Sequence, residues 1–345
     1  MNTTRDYLNR IPAAQVRNVI QQLVCSEMTG KPIDNPSLAL QDLESMPQET
    51  RSLETLVMAL STDRTNRAGS APWFKRTAAL VDVLTLGLHT VTRTYPEPAH
   101  RSFLRLLPAR SYMEQQFISG LDGLIAIDQV NEHGELKDFA LLETAVELEK
   151  TTAKRRGAIL SISEPLIVND DSGPRFFADT AKALMAAAWR DEAKQVFSVL
   201  NANPNLNDGA AWINSGNSVT ASTVAGVIAA GVANITGQTF STGELCGHPP
   251  AFLVCPPSWT VSDAVLLTNL PTIKVISHPL AGSTGWLLTD PAQQAALGLA
   301  AFGNGMPVVE MNDKLPARRG LQMSIQHSFS ILPLSRAGIC RLTVA

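Results

Sequence analysis

The most reactive side chains in this sequence are four cysteines (Cys25, Cys246, Cys255, Cys340), six histidines and one adjacent carboxylate pair, Asp170-Asp171. Cys246-Gly-His248 followed by Cys255 offers thiolate and imidazole ligands of the kind zinc takes. The spacing matches no standard zinc site, and no fourth ligand is evident. Buried thiols are the better reading of these cysteines. His89, His100, His133, His248, His278 and His327 are scattered, with no pair at metal-ligand spacing and none beside an obvious nucleophile. His327 falls in an alternating tail segment and reads as a hydrogen-bonded structural histidine. Gly282-Ser283-Thr284-Gly285 approaches a nucleophile elbow but lacks its Gly-x-Ser-x-Gly spacing. Dinucleotide-binding, phosphate-loop and zinc-protease motifs do not occur. Asp170 and Asp171 stand just before a long Ala-rich run, where the helix macrodipole alone accounts for acids. The residues therefore point to no catalytic, cofactor or metal site, and the question becomes what the elements build.

Ile167-Val168 reads as the end of a strand, and Asn169-Asp170-Asp171 as a sharp acidic turn. Pro174 suits a first helical turn, where a missing N–H costs nothing, and Asp171 or Ser172 can cap it. The helix runs from Pro174 to about Asn201, with Phe177, Ala181, Leu184 and Ala188 on one stripe, and Asn203-Pro204 ends it. It is longer than the usual ~11–12 residues. Before it, Leu124–Ile127, Ala145–Thr151 and Ala158–Ser163 read as strands around the turn signal Asn131-Glu-His-Gly134. They form a charged ribbon, and an isolated ribbon is marginal in water. Its support must come from another subunit. A long rod beside such a ribbon suggests a building block.

Further elements flank this centre. Val16, Val19, Ile20, Leu23 and Val24, then Leu53, Leu56, Val57 and Leu60, mark two amphipathic helices in residues 1–70, tethered by a Pro-punctuated link. A third helix spans about Phe74 to Thr94, stopped by Pro96 and Pro98. Arg101, Arg105 and Arg110 lie in a basic stretch that reads as solvated, or as facing a phosphate backbone or an acidic neighbour. A Gly/Ser/Asn-rich loop over 208–218 precedes a helix at Ser222–Ala233. Ala251–Cys255, Ile273–Ser277 and Gly285–Thr289 read as strands, with a helix over Ser258–Asn269. Strand-like stretches at Pro307–Met311 and Leu321–Ile331 follow, the second alternating cleanly.

Hydrophobic residues make up 45% of the 345 and charged ones 17%. The charged share is below the usual ~25%, as expected of a surface largely covered by neighbours. A net charge of −3 gives no electrostatic case for tight nucleic-acid binding. No signal peptide is read at the N-terminus, and no apolar run approaches the ~20 residues of a membrane span.

In this order the parts resemble the major capsid proteins of tailed phages, closest to the Mu-type major head subunits with the Hong Kong phage capsid fold. His133-Gly-Glu-Leu-Lys137 with Leu142-Glu143 is similar to that family's ribbon segment. Arg156-Gly157, Ser163 and Ile167–Asp171 resemble the approach to its long helix, and Leu200–Pro204 with Asp208-Gly209 the exit. Phe252–Pro256, His278-Pro-Leu280 and Trp286–Asp290 resemble its strand, loop and strand. The likeness runs from about Trp73 to Leu342. Ser215-Gly216-Asn217 stands where the family often has His-Gly-Asn, and residues 1–70 have no counterpart.

The resemblance implies an α+β fold of the Hong Kong phage type, divided by position. Residues 1–70, which have no counterpart in the family, read by their own periodicity as an N-terminal helical arm, and 71–123 as the helix and lead-in. Residues 124–163 form the extended E-loop, lying over an adjacent subunit through Glu132, Lys137, Asp138, Phe139, Glu143, Lys150, Lys154 and Arg155. Residues 164–204 carry the spine helix of the peripheral domain, started by Asn169, Asp170, Asp171 and Pro174. Residues 205–305 form the axial domain, and 306–345 return to the peripheral domain as strands. The implied function is self-assembly of hexamers and pentamers into an icosahedral shell around double-stranded DNA, held without sequence preference. Portal, scaffolding and decoration proteins are the further partners implied. No cofactor, membrane partner or catalysis is expected, and the expected location is the virion, after assembly in the cytoplasm of a bacterial host. The competing readings are a shell protein of an encapsulin-like cellular nanocompartment and a soluble α/β hydrolase using Ser283 or Cys255.

Overall fold

The computed structural model describes residues 22, 85, 88–89, 91–119, 147–163, 174–239, 245–262, 272–312 and 320–345. Along the chain they form β1 (Arg105–Pro108), β2 (Gln115–Ser119), β3 (Glu147–Thr151), β4 (Lys154–Ser163), α1 (Pro174–Ala202), β5 (Ser218–Ala221), α2 (Val224–Thr236), β6 (Pro250–Cys255), α3 (Pro257–Ser262), β7 (Lys274–Ser277), β8 (Thr284–Thr289), β9 (Leu297–Ala301), β10 (Val308–Asn312), β11 (Gly320–Pro333) and β12 (Ile339–Val344). Two compact units share the chain. One holds Met1–Pro96, Arg156–Trp189 and Pro307–His327; the other holds Glu97–Arg155, Arg190–Met306 and Ser328–Ala345.

In the first unit, β10 pairs antiparallel with the early part of β11, Val308 opposite Gln326 and Asn312 opposite Gln322. β4 also pairs with β11. Gly157 makes that approach possible, since a Cβ there would sit 2.4 Å from the Ile325 carbonyl oxygen. The first part of α1 buries Phe177, Ala178, Ala181, Met185 and Ala188, the three-and-four spacing of a one-sided helix. Trp189 meets the edge of the buried His327 ring at 5.6 Å.

In the second unit, β1 runs parallel to β9, and β9 pairs antiparallel with the later part of β11. A separate five-stranded sheet has the order β5-β12-β8-β6-β7. α2 covers one of its faces: Val224, Val227, Ile228 and Ile235 pack on Leu253, Cys255, Leu287, Cys340 and Leu342. Thr223 caps α2 by accepting the Gly226 N–H at 3.1 Å. The alternate residues Val254, Trp286, Leu288 and Ile339 join a core with Val196, Phe197 and Leu200 from the end of α1, and with Phe103 and Trp212. Each large side chain fully buried this way contributes about 1.5–3 kcal/mol.

α1 spans 29 residues. Its end follows from Asn203, whose φ of 46° turns the chain left-handed, a conformation asparagine tolerates. The Asn203 side chain then fixes the exit: Oδ1 accepts the Ile213 N–H at 2.6 Å and Nδ2 donates to the Ile213 carbonyl at 2.8 Å.

Four expectations are corrected. First, residues 306–345 do not form one set of strands. β10 and β11 pair with each other, whereas β12 lies between β5 and β8, among strands expected for the axial region. β9, placed by sequence within 205–305, pairs instead with β1 and β11. Second, β4 is not the partner of β3; β3 pairs with β2, so the ribbon's pairing starts at Gln115 rather than Leu124. Third, the loop over 208–218 gives way to β5, and the following helix starts at Val224 and ends at Thr236. Fourth, Arg101 is not in a solvated stretch, for a reason set out below. The expected arm in residues 1–70, the strand Leu124–Ile127 and the turn Asn131–Gly134 lie outside the described residues, apart from Gln22, which is helical.

Candidate assembly interface

The ribbon's base is built by β2 and β3, antiparallel from Gln115 opposite Thr151 to Ser119 opposite Glu147. Phe117 anchors it by packing on the small cluster of Ala295, Ala300, Leu332 and Leu334. The Thr151 and Ser330 hydroxyls, 2.7 Å apart, add a hydrogen bond from β3 to β11. Lys150, opposite Gln116, is exposed. After the buried Ala153, exposed Lys154 and Arg155 open β4. Further along β4, Ile159 is 68% exposed and Leu160 41%. Successive residues of a strand face opposite ways, so each of the two adds apolar area to its own face of β4.

Of the expected site residues, the structure thus places Lys150, Lys154 and Arg155 within one short stretch of chain, and Pro174 as the first residue of α1. Glu132, Lys137, Asp138, Phe139 and Glu143, and Asn169, Asp170 and Asp171, lie outside the described residues.

The most constrained polar group of the second unit is one that periodicity does not mark. Glu192, in the later part of α1, is wholly buried. Arg101 grips it with both ends of its guanidinium, Nε donating to Oε1 at 2.9 Å and Nη2 to Oε2 at 2.8 Å. His100 Nε2 lies 2.9 Å from Oε1. Arg101 Nη2 also donates to the Gly305 carbonyl. A planar fork on a carboxylate is the strong form of an ion pair. It ties the 3-10 turn Ala99–Phe103 to α1 and to the loop after β9. This is why the Arg101 side chain is only 9% exposed despite its basic neighbours. The one sequence signal was an acid on the otherwise Ala-rich helix.

A second tie closes the exit loop of α1. Arg336 donates to Asp208 from Nη1 at 2.6 Å and Nη2 at 2.8 Å, and to the carbonyls of Ala210 and Ala211. These bonds hold the Asp208 carboxyl down at about 2.

The thiols are sealed. Burial pushes Cys255 up to about 11 and Cys340 up to about 12, and raises Cys246 as well. The thiolate that a Cys255 nucleophile requires is therefore not populated near neutral pH. His278 stacks on Phe197 at 4.4 Å, and its Nδ1 accepts the Leu280 N–H. Burial first, and the nearby His100 second, hold its pKa down. Ser283 sits on an exposed turn just after Gly282, whose φ is 68°.

Comparison with known proteins supplies the context for this architecture. Residues 146–342 match the family model described as "Phage capsid protein". Among solved structures, the chain is similar to a phage-related protein from Bordetella bronchiseptica RB50, with a TM-score of 0.52 and 11% identity, covering 75% of this chain and 96% of that one. It is also similar to a structure titled Mycobacterium phage Adephagia, at a TM-score of 0.47 and 9% identity over 72% of this chain and 91% of that one. The holo-SrpI encapsulin complex from Synechococcus elongatus PCC 7942 gives a TM-score of 0.48 at 8% identity, over 73% and 89%. Among curated proteins, the spike glycoprotein of Breda virus 1 is 33% identical over 109 residues, which is 29% of this chain and 7% of that protein.

Proposed function

The chain belongs to the phage capsid protein family, and from that premise we propose that it is a Mu-type major head subunit. Its fold is α+β, of the Hong Kong phage capsid type. It is a major capsid protein, a structural component of the virion. Copies of it close into an icosahedral shell around double-stranded DNA, built in the cytoplasm of a bacterial host.

The observation that carries this reading is the family match over more than half of the chain, which takes in β4, α1 and the β5-β12-β8-β6-β7 sheet as far as Leu342 in β12. The physical character of the described residues supports it. Their polar constellations, Arg101 with Glu192 and Arg336 with Asp208, join parts of one chain rather than presenting a reactive group. A shell needs area and repetition instead of one deep pocket, and closed repetition makes weak contacts strong together. The low share of charged residues and the net charge of −3 suit a wall that contains DNA without gripping it.

In this reading residues 124–163 are the extended E-loop that lies over an adjacent subunit. Glu132, Lys137, Asp138, Phe139, Glu143, Lys150, Lys154 and Arg155 supply its intersubunit contacts. Ile159 and Leu160 add apolar area beside them. Asn169, Asp170 and Asp171 lead into Pro174 and the spine helix. Portal, scaffolding and decoration proteins are the further partners of such a subunit.

Electron microscopy of the purified chain tests the reading. Closed shells are expected. If light scattering shows only a species of 37.1 kDa under every assembly condition, the reading fails. Absorbance at 260 against 280 nm, with mass spectrometry of the contents, separates a DNA-filled head from a cellular compartment loaded with protein.

A further inference from the structure

Arg341 lies on β12, with β5 on one side and β8 on the other. Its partners in register are Ser218 on β5 and Trp286 on β8. Paired residues share a face of the sheet, so Arg341 points to the side opposite α2. The Trp286 end of that row runs into the core through Val254 and Ile276. The Ser218 end runs outward. In the next row along, Thr343 pairs with Thr220 and Thr284. Arg341 is thus a cation at the rim of an apolar core, with Trp286 on one side, Ser218 on the other and threonines in the next row.

Its Nε is buried and has no hydrogen-bond partner. Among the described residues, no hydrogen bond or ion pair reaches any part of its guanidinium. The buried Nε1 of Trp286, its neighbour in the row, also lacks a partner. Two other arginines of this unit contrast with it. Arg101 holds Glu192 with two bonds, and Arg336 holds Asp208 with two. A partly buried cation without an anion is costly, and native structures rarely leave one unmatched.

We propose that Arg341 receives a carboxylate from a second copy of this chain, so that this rim of the β5-β12-β8-β6-β7 sheet is a contact between copies. The inference rests on the assembly reading above and names a specific contact within it. A carboxylate fits better than a nucleic-acid phosphate. Phosphate backbones are gripped by clusters of basic residues, whereas Arg341 has Ser218 and Trp286 beside it in register and threonines in the next row. With Nε covered, the terminal nitrogens meet the incoming oxygens, and the hydroxyls of Thr220 and Thr343 are placed to take part. The chain carries 31 acids against 28 basic residues, and Glu97, Glu114 and Glu310 are exposed, so other copies have carboxylates to give.

The experiment compares the wild-type chain with Arg341→Met, which keeps the apolar stem and removes the charge, and with Arg341→Lys, which keeps the charge. Thermal unfolding of unassembled protein and the threshold concentration for shell formation are measured for all three, in 0.1 M and 1 M NaCl. R341M is expected to leave the unassembled chain as stable as wild type or more so. It should raise the threshold roughly tenfold at low salt and remove most of its salt dependence, while R341K keeps that dependence. Equal thresholds for R341M and wild type overturn the proposal. So does a loss of chain stability in both R341M and R341K, which would make Arg341 a structural group of the monomer. If the R341M defect vanishes when shells assemble free of nucleic acid, the partner is a phosphate and the carboxylate assignment falls. If wild type forms no shells at all, the assembly reading fails first and takes this contact with it.

Discussion

Glu192 carries the heaviest demand on any single residue of this protein. It is a carboxylate with no solvent exposure, held by Arg101 and His100. Truncating it strands a guanidinium in the interior. Glu192→Ala should therefore cost about 3–5 kcal/mol, read as a lowered urea midpoint. A loss below about 1 kcal/mol would mean that Arg101 finds other partners. Asp208 acts in a different range. Its folded pKa of about 2 lies below the ordinary 3.8, so its contribution is complete above pH ~4 and fades as pH falls toward 2. Arg336→Met should remove that part of the acid sensitivity. The difference between wild-type and variant urea midpoints should shrink from pH 5 to pH 2, and a constant difference would refute the linkage. These pairings were not legible in the sequence, because Arg101 and Glu192 lie 91 positions apart and Arg336 and Asp208 lie 128 apart. Local cues were legible: Pro174 opens α1 and Asn203 closes it.

Among elements, those with a local signature were read nearly to the residue. The limits of α1 came from a proline at one end, Asn-Pro at the other, and apolar residues every three or four positions. β6, β7 and β8 were found because short apolar runs lie between turn residues. β5, β9 and β12 were missed. β9 is Leu-Gly-Leu-Ala-Ala, a buried strand without alternation, and β5 sits in a loop-like composition; both gain strand character only from distant partners. β1 was hidden by its arginine for the same reason. α2 offers the test at this scale. Gly231 faces the sheet, and a Cβ there would lie 2.5 Å from Leu342 Cδ2 and 2.8 Å from Leu287 Cδ1. Gly231→Ala improves helix propensity by about 1 kcal/mol but forces both leucines to move. Overpacking of this kind costs about 1–3 kcal/mol, so the variant should be no more stable than wild type by thermal melting. A clear rise in melting temperature would show that the leucines yield without cost.

For the molecule as a whole, the class of architecture was legible before its wiring. The order of ribbon, long helix, α/β region and terminal strands carried the family resemblance, and the family match confirms that resemblance at the level of phage capsid proteins. Which strands join which sheet was not legible, since sheet order is set by contacts far apart in sequence. The proposed role of residues 124–163 is tested at this scale. Deleting Asn131–Leu136 should leave α1 and both sheets folded by circular dichroism while the yield of closed shells falls at least severalfold by electron microscopy. Shells of normal yield and heat resistance would remove that segment from the assembly contacts.

The position of β12 has a consequence for biosynthesis. Ile339–Val344 is an interior strand that touches β5 on one side and β8 on the other. While a ribosome is still short of these codons, β5 and β8 have an empty slot between them, and α2 lacks Cys340 and Leu342 beneath it. Translation proceeds from the N-terminus, so that half of the molecule locks only when these last strand residues emerge.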